Sequence, residues 1–354
     1  MKIVVDNKIP YLKGHIETIS DEVVYMNGGD IDAAIVADAD VLIVRTRTRC
    51  DRSLLEGSKV KLVVTATIGY DHIDVDYLRD VGIKWTNCPG CNASSVRQYV
   101  HNSLLVLGLL KQGLTVGIVG VGHVGTLVAT DLADAGMNVL LCDPPLKELR
   151  DRGGEEWESL PLAQSPLRDM EFSDLKCLAS EADIITFHTP LCRTGVAPTY
   201  HLADKDFFTS LVKKPLIINS SRGEVVDNEA LVWALDAGHV RDAVIDTWEG
   251  EPDINLHLLN RAVIATPHIA GYSADGKANA TRMSLKAVCE FYGLEFNCDV
   301  MPPQLPDELC PTAELAEERA LQLYNPMEDT QRLKYSPDRF EWLRGNYPLR
   351  RESE

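Results

Sequence analysis

Gly117-Ile118-Val119-Gly120-Val121-Gly122-His123-Val124-Gly125 decides the fold: an apolar, β-branched run enters a glycine turn, and residues 126–135 continue with helical character. Gly120, Gly122 and Gly125 form GxGxxG, which is weak alone and informative between a strand and a helix. The first glycine permits the tight turn, the second lets backbone approach a pyrophosphate, and the third lets helix and strand pack closely. The helix N-terminus adds amides and a positive dipole end. Asp143 ends the next apolar run, 18 residues past Gly125. A carboxylate there accepts both ribose hydroxyls and repels a 2′-phosphate, so the expected cofactor is NAD. Lys147 and Arg150 stand near enough to leave NADP open, and a purely structural glycine turn followed by a strand-ending Asp is the bland alternative.

Working outward, apolar β-branched runs recur at residues 115–119, 138–142, 184–187, 215–219, 243–246 and 262–266, the six strands of a doubly wound nucleotide-binding sheet. An earlier series at 2–5, 23–25, 41–44, 62–65 and 83–85 reads as βα units around another parallel sheet. Residues 94–111 predict a long helix linking the two, and 275–293 a helix returning to the first sheet. Residues 144–173, with Gly153-Gly154 and several prolines, read as an irregular excursion. The tail after Pro302 is rich in Glu and Arg and ends in a helix opened by Ser336-Pro337, an N-cap and N1 pair. The expected fold class is α/β: two doubly wound parallel-sheet domains, one for substrate and one a Rossmann NAD domain, with a small C-terminal extension. The boundaries read as 1–93 with 273–300 for the substrate domain, 94–272 for the NAD domain and 301–354 for the extension.

Composition narrows the function. The chain has 354 residues, 35 Lys and Arg against 53 Asp and Glu, and a formal charge of −18. No basic stripe is available to displace counterions from a phosphate backbone, which argues against a nucleic-acid partner. An anionic small substrate would need a locally cationic cleft. The longest apolar stretch, 104–110, is far short of a membrane span, and the N-terminus lacks signal-peptide character, so a cytoplasmic protein is expected. Nine scattered cysteines favour reduced thiols. Cys88-Pro89-Gly90-Cys91 matches a redox CxxC, but Pro-Gly is ordinary turn chemistry and no thioredoxin-like context surrounds it.

Three charged residues follow strand ends of the second series, where open α/β sheets bind ligands. Arg222 lies in Asn219-Ser220-Ser221-Arg222-Gly223, Glu251 in Trp248-Glu249-Gly250-Glu251-Pro252, and His268 in Thr266-Pro267-His268-Ile269-Ala270-Gly271. Oxidising a secondary alcohol beside a carboxylate calls for these types. A guanidinium holds the carboxylate, an imidazole takes the hydroxyl proton, and a carboxylate orients the imidazole. Each alone is more often a surface or capping residue. The remaining histidines read as structural, and no sequence cluster has metal-ligand spacing, so no metal is expected.

The order of these motifs resembles the NAD-dependent D-2-hydroxyacid dehydrogenases. Five segments, Pro89-Gly90-Cys91-Asn92-Ala93, Cys142-Asp143-Pro144-Pro145, Phe187-His188-Thr189-Pro190-Leu191, Trp248 to Pro252 and Pro267 to Tyr272, are similar to the branch of that family serving pyridoxal 5′-phosphate biosynthesis. The likeness runs from residue 2 to about 294 and returns weakly at Phe340-Glu341-Trp342-Leu343-Arg344-Gly345-Asn346-Tyr347. It implies an oxidoreductase acting with NAD on a small phosphorylated 2-hydroxy acid. Arg222 and Glu251 would be catalytic, and His268 the proton donor or acceptor. Thr46, Thr67 and Tyr272 match substrate contacts. Asp143, Thr189, Asp246 and Gly271 match cofactor contacts, with the backbone of Gly122, His123 and Val124 and of Ser220, Ser221 and Arg222. The family's C-terminal region supplies homodimer contacts, and here it is shorter than usual. The rivals are a dehydrogenase for another 2-hydroxy acid such as 3-phosphoglycerate and a non-catalytic NAD sensor. For the substrate phosphate the sequence offers Val44-Arg45-Thr46-Arg47-Thr48-Arg49. If the strand runs on, Thr46 faces away from the three arginines. Arg45, nearest the strand end, is the preferred phosphate contact, against a solvated rim.

Overall fold

A computed structural model describes residues 1–352. Contacts divide the chain into two compact units, residues 1–92 with 273–304 and residues 93–272 with 305–354.

The first unit is a five-stranded sheet, β1 (Lys2–Asp6), β2 (Glu22–Met26), β3 (Val41–Val44), β4 (Leu62–Thr65) and β5 (Lys84–Thr86), in the order β2-β1-β3-β4-β5. Every pairing is parallel. β3 and β4 are buried along their whole length, as a sheet covered on both faces requires. One face packs Ile3, Val5, Ile43 and Val64 against Ala278, Leu285 and Val288 of the helix Ala274–Tyr292. The other packs Val4, Leu42, Val44 and Val63 against Leu54, Leu55, Tyr77 and Leu78. Each such Ile, Leu or Val contributes roughly 1.5–3 kcal/mol by leaving water. Ser273 caps the long helix through Gly276 N–H, and Gly293 closes it at φ 65°.

The second unit holds β6 (Thr115–Val119), β7 (Asn138–Cys142), β8 (Ile184–Phe187), β9 (Leu216–Asn219), β10 (Asp242–Ile245) and β11 (Ile264–Ala265), all parallel, in the order β11-β10-β9-β8-β6-β7. A single parallel bridge from Leu141 to Phe172 adds a vestigial seventh position beyond β7. The chain turns back from β7 to β8 across β6, which puts the topological switch point between the C-terminal ends of β6 and β8. Phe187, Phe208, Leu231 and Leu258 cover one face, and Tyr99, Val100, Val128 and Leu132 the other.

Several elements depart from expectation. The linking helix ends at Val106 because Gly108, at φ 63°, turns the chain. Residues 144–173 are less irregular than their composition suggests: Pro144–Arg152 and Glu155–Glu158 are helical, the first capped by Asp143 with prolines at its opening positions. Pro337 opens a short 3-10 turn ahead of the helix Phe340–Gly345, but Ser336 makes no side-chain cap bond. Two helices unanticipated in the tail, Ala316–Leu323 and Pro326–Tyr335, pack on the second unit, where Leu333 and Phe340 join its core. Among the described residues no helix is long and apolar enough to cross a membrane.

Candidate active site

The glycine turn lies at the switch point. Gly120 has φ 87°, and a Cβ there would sit 2.8 Å from the His188 carbonyl carbon and 2.8 Å from Thr189 Cγ2. A Cβ on Gly125 would lie 1.9 Å from the Gly120 carbonyl oxygen, so any side chain would pry helix from strand. Gly122 differs. It is the N-cap of the helix His123–Asp134, with ordinary φ and nothing within 4 Å of an added Cβ, so the chain itself leaves that space open. His123 and Val124 form the first turn. Along the same edge of the sheet Thr189 Oγ1, which neighbours Gly120, and Ser220 Oγ and Thr247 Oγ1, from the loops after β9 and β10, are buried without a protein hydrogen bond. Groups of this kind call for a ligand's polar atoms. Asp143 Oδ2 accepts from Val121 N–H at 2.8 Å and Oδ1 from Leu146 N–H at 2.9 Å, which fixes the carboxylate at the end of β7. Arg150 is turned away onto the Met170 carbonyl and the Phe172 ring, and Lys147 is exposed on the helix surface.

Two further loops carry Arg222 and Glu251. A Cβ on Gly223 would lie 2.0 Å from the Trp248 carbonyl, so only glycine lets the loops touch. Asn219 ties the first loop: its Nδ2 donates to the Arg222 carbonyl and its Oδ1 accepts from Ser221. Arg222 is half-buried with Nη1 on the Ser221 carbonyl at 2.8 Å. Glu251 Oε1 accepts from Trp248 N–H at 2.9 Å, and its Oε2 lies 2.8 Å from His268 Nδ1. Burial pushes the Glu251 carboxyl up, but the His268 contact, the Trp248 amide and Arg344 outweigh it, leaving it below the usual carboxylate range. His268 occupies φ 55°, a left-handed conformation costly for a non-glycine. Its amide is held by the Asp246 and Thr266 carbonyls. The fully buried Asp246 carboxylate accepts from Thr266 Oγ1, Ile269 N–H and Ala270 N–H, so it organises the loop bearing the imidazole. Burial drives its carboxyl upward. Gly271 is half-buried in the turn that follows.

The structure therefore brings Arg222, Glu251, His268 and the glycine cradle to one edge of one sheet. Tyr272 joins them indirectly: its hydroxyl accepts from Arg344 Nε at 3.1 Å. Arg344 itself, with Nη1 3.7 Å from Glu251 Oε2, was missed; the only sequence signal was the weak echo around residues 340–347. Thr46 and Thr67 belong to the first unit. Thr46 is exposed, and Thr67 donates to the Gly69 carbonyl. β3 ends at Val44 and turns, with Thr48 N–H on the Arg45 carbonyl, so strand alternation does not extend over the three arginines. Arg45 Nη1 binds the Lys8 carbonyl and Arg49 pairs with Asp51. Cys88 and Cys91 are buried, and the Cys88 thiol, pushed up to about 11 by burial, lies among the Thr65 and Ala280 carbonyls and Ser284, which disfavours redox chemistry. Among the described residues folding does assemble one group of metal-ligating types that sequence spacing hid, His201, Asp227 and Glu249. Its imidazole lies between the two carboxylates, with Nε2 2.6 Å from Glu249 Oε1 and Nδ1 3.6 Å from Asp227 Oδ2, so a hydrogen bond from the imidazole to Glu249 accounts for the grouping.

An open α/β sheet with a dinucleotide cradle and a His–Glu pair at its edge defines a class of NAD-dependent dehydrogenase, and comparison with known proteins agrees. Residues 92–270 match the model of the D-isomer specific 2-hydroxyacid dehydrogenase NAD binding domain. The chain belongs to that family and is an NAD-dependent oxidoreductase. It is 52% identical over 356 residues to the erythronate-4-phosphate dehydrogenase of Bacteroides fragilis, covering 99% of this chain and 97% of that protein. The enzyme of the same name from Bacteroides thetaiotaomicron is 51% identical over 358 residues, covering 100% and 98%. The fold is shared with the Aquifex aeolicus D-lactate dehydrogenase complexed with NAD and lactic acid, at TM-score 0.65 and 22% identity over 82% of this chain and 96% of that one.

Proposed function

We propose that this protein oxidises 4-phospho-D-erythronate at C2 to 2-oxo-3-hydroxy-4-phosphobutanoate, in pyridoxal 5′-phosphate biosynthesis. The observation that carries the reading is the His268–Glu251 contact on the sheet edge that holds the Gly120–Gly125 cradle, in a chain half identical to relatives named for this substrate. Bound NAD supplies the hydride acceptor. Gly120, Gly122 and Gly125, the His123 and Val124 amides, Asp143, Thr189, Ser220, Ser221, Asp246 and Gly271 hold it, and the Asp143 carboxylate disfavours a 2′-phosphate. Arg222 holds the substrate carboxylate. His268, with Nδ1 kept on Glu251, takes the C2 hydroxyl proton through Nε2, and Glu251 stabilises the imidazolium that results. Thr46, Thr67 and Tyr272 contact substrate oxygens, and Arg45 the phosphate. The units divide the labour, residues 1–93 with 273–300 for substrate and 94–272 for NAD, and residues 301–354 contribute to a cytoplasmic homodimer.

A purified sample assayed with NAD, 4-phospho-D-erythronate and a trap for the keto product tests this. Turnover is expected there and not with 3-phosphoglycerate. His268→Asn should lose about 10²- to 10⁴-fold in kcat while NAD still binds. Faster turnover of 3-phosphoglycerate would reassign the substrate, and NAD binding without turnover of either acid would favour a sensor.

A further inference from the structure

The helix Phe340–Gly345 belongs to the tail, yet it delivers a guanidinium to the centre of the proposed chemistry. Arg344 donates from Nε to the Tyr272 hydroxyl at 3.1 Å and places Nη1 3.7 Å from Glu251 Oε2, the oxygen that lies 2.8 Å from His268 Nδ1. The arginine is largely enclosed, its side chain 25% exposed beside a Glu251 that is 17% exposed. Its helix is well fastened. Phe340 is buried in the core of the second unit, the Tyr347 hydroxyl donates to Asp329 at 2.8 Å, and Arg350, fully enclosed, donates to the carbonyls of Ser95, Ile269 and Ala270 and to Gln98. Two of those carbonyls directly follow His268, so one short tail segment grips the His268 loop and its carboxylate partner.

We propose that Arg344 is a positioning residue for the His268–Glu251 pair. By charge it keeps Glu251 ionised, by geometry it fixes the direction from which that carboxylate meets the imidazole, and through Nε it orients the Tyr272 hydroxyl. The charged or titratable groups facing Glu251 are His268 and Arg344; those facing Arg344 are Glu251, Tyr272 and Glu341, whose Oε1 is 3.9 Å away. A competing role as the cation for the substrate phosphate fits less well. Two carboxylates flank the guanidinium, and a dianionic phosphate approaching it would meet both. Burial works against the charge of Arg344, but Tyr272 and Glu251 more than compensate and hold it protonated.

This inference rests on the proposed roles of His268 and Glu251, and the test separates the two. Wild-type protein, His268→Asn, Arg344→Ala, Arg344→Lys and the control Arg339→Ala, which sits on the same segment stacked over Trp342, are compared for kcat, KM for each substrate, the pH profile and thermal stability. If wild type fails to turn over the acid, or His268→Asn matches it, the proposed function fails. If those arms behave, Arg344→Ala should lower kcat by about tenfold or more, with KM for NAD little changed. Removing the cation raises the Glu251 carboxyl pKa, so the acidic limb of the kcat profile should move to higher pH. Arg344→Lys should restore part of both, and Arg339→Ala neither. Wild-type kcat and profile in Arg344→Ala would overturn the proposal. So would a loss confined to KM for the phosphorylated acid, which would make Arg344 the phosphate cation, or a kcat loss with an unmoved acidic limb, which would make its role merely structural.

Discussion

Both sheets are parallel and covered on both faces, yet their C-terminal edges are finished differently. At the edge of the six-stranded sheet His188 Nδ1, Thr189 Oγ1, Ser220 Oγ and Thr247 Oγ1 are buried without protein partners. At the edge of the five-stranded sheet the polar groups close on one another. Thr65 Oγ1 meets Thr67 Oγ1 at 2.7 Å and His72 Nε2 at 2.9 Å, Thr67 donates to the Gly69 carbonyl, and Thr48 to the Gly28 carbonyl. An unpartnered buried polar group costs on the order of 1–3 kcal/mol, which a fold tolerates where an occupant supplies the missing bond. The first edge is thus prepared for a ligand of fixed shape, whereas the second is self-supporting, and a ligand binding there would have to replace hydrogen bonds the protein already makes.

The sharpest way to break that contrast is Gly122→Ala. Because no protein atom lies within 4 Å of the added methyl, the melting temperature should hold while NAD affinity, read by titration, falls on the order of 100-fold through lost pyrophosphate approach. Undiminished affinity would show that the open space is not the cradle. His188 gives a pH test of the same edge. Burial pushes its imidazole down to about 3, so the unfolded chain binds the extra proton between pH 6.5 and 3 and stability must fall on acidification across that window. His188→Gln should remove up to about 2 kcal/mol of the stability lost between pH 7 and pH 5, measured by denaturant titration at both values. Asp143→Ala should shift the NAD to NADP preference about tenfold toward NADP, since phosphate repulsion and ribose hydrogen bonds vanish together. It should also cost about 1 kcal/mol of stability through the lost helix cap. Last, Thr65→Val should destabilise by about 1 kcal/mol, whereas Ser220→Ala, which deletes an unpartnered hydroxyl, should raise the stability of the free protein and weaken NAD binding. Equal stability losses would erase the distinction between the edges.

Much of this was legible because its signals are local. Strand, glycine turn and helix around Gly120–Gly125 lie within some twenty residues, and each glycine has a steric reason at its own position. The alternation of apolar runs likewise gave two parallel sheets and, with the switch point, the edge on which Arg222, Glu251 and His268 stand. Residues 144–173 read as irregular because Gly153-Gly154 punctuates them, yet Asp143-Pro144-Pro145 is itself an N-cap followed by prolines in the first helical turn. Arg344 and Arg350 were illegible for another reason: their partners, Glu251, Tyr272, Ser95 and Ile269, lie some 70 to 255 positions away, and no periodicity reports such contacts. The self-bonded Thr65, Thr67 and Arg45 loops were equally hidden, since sequence names donors and not where they are spent.

The helix Ala274–Tyr292 has a consequence in time. It supplies Ala278, Leu285 and Val288 to one face of the five-stranded sheet, yet about 180 residues separate Asn92 from Ser273. At roughly 5–20 residues per second a ribosome needs about ten to forty seconds to bridge that gap. Throughout it Ile3, Val5, Ile43 and Val64 have been synthesised without the helix that covers them. The nascent chain therefore carries a half-dressed apolar sheet while the entire six-stranded sheet is being made, and because Leu333 and Phe340 complete the second unit's core later still, neither unit can finish folding until its returning segment has been made.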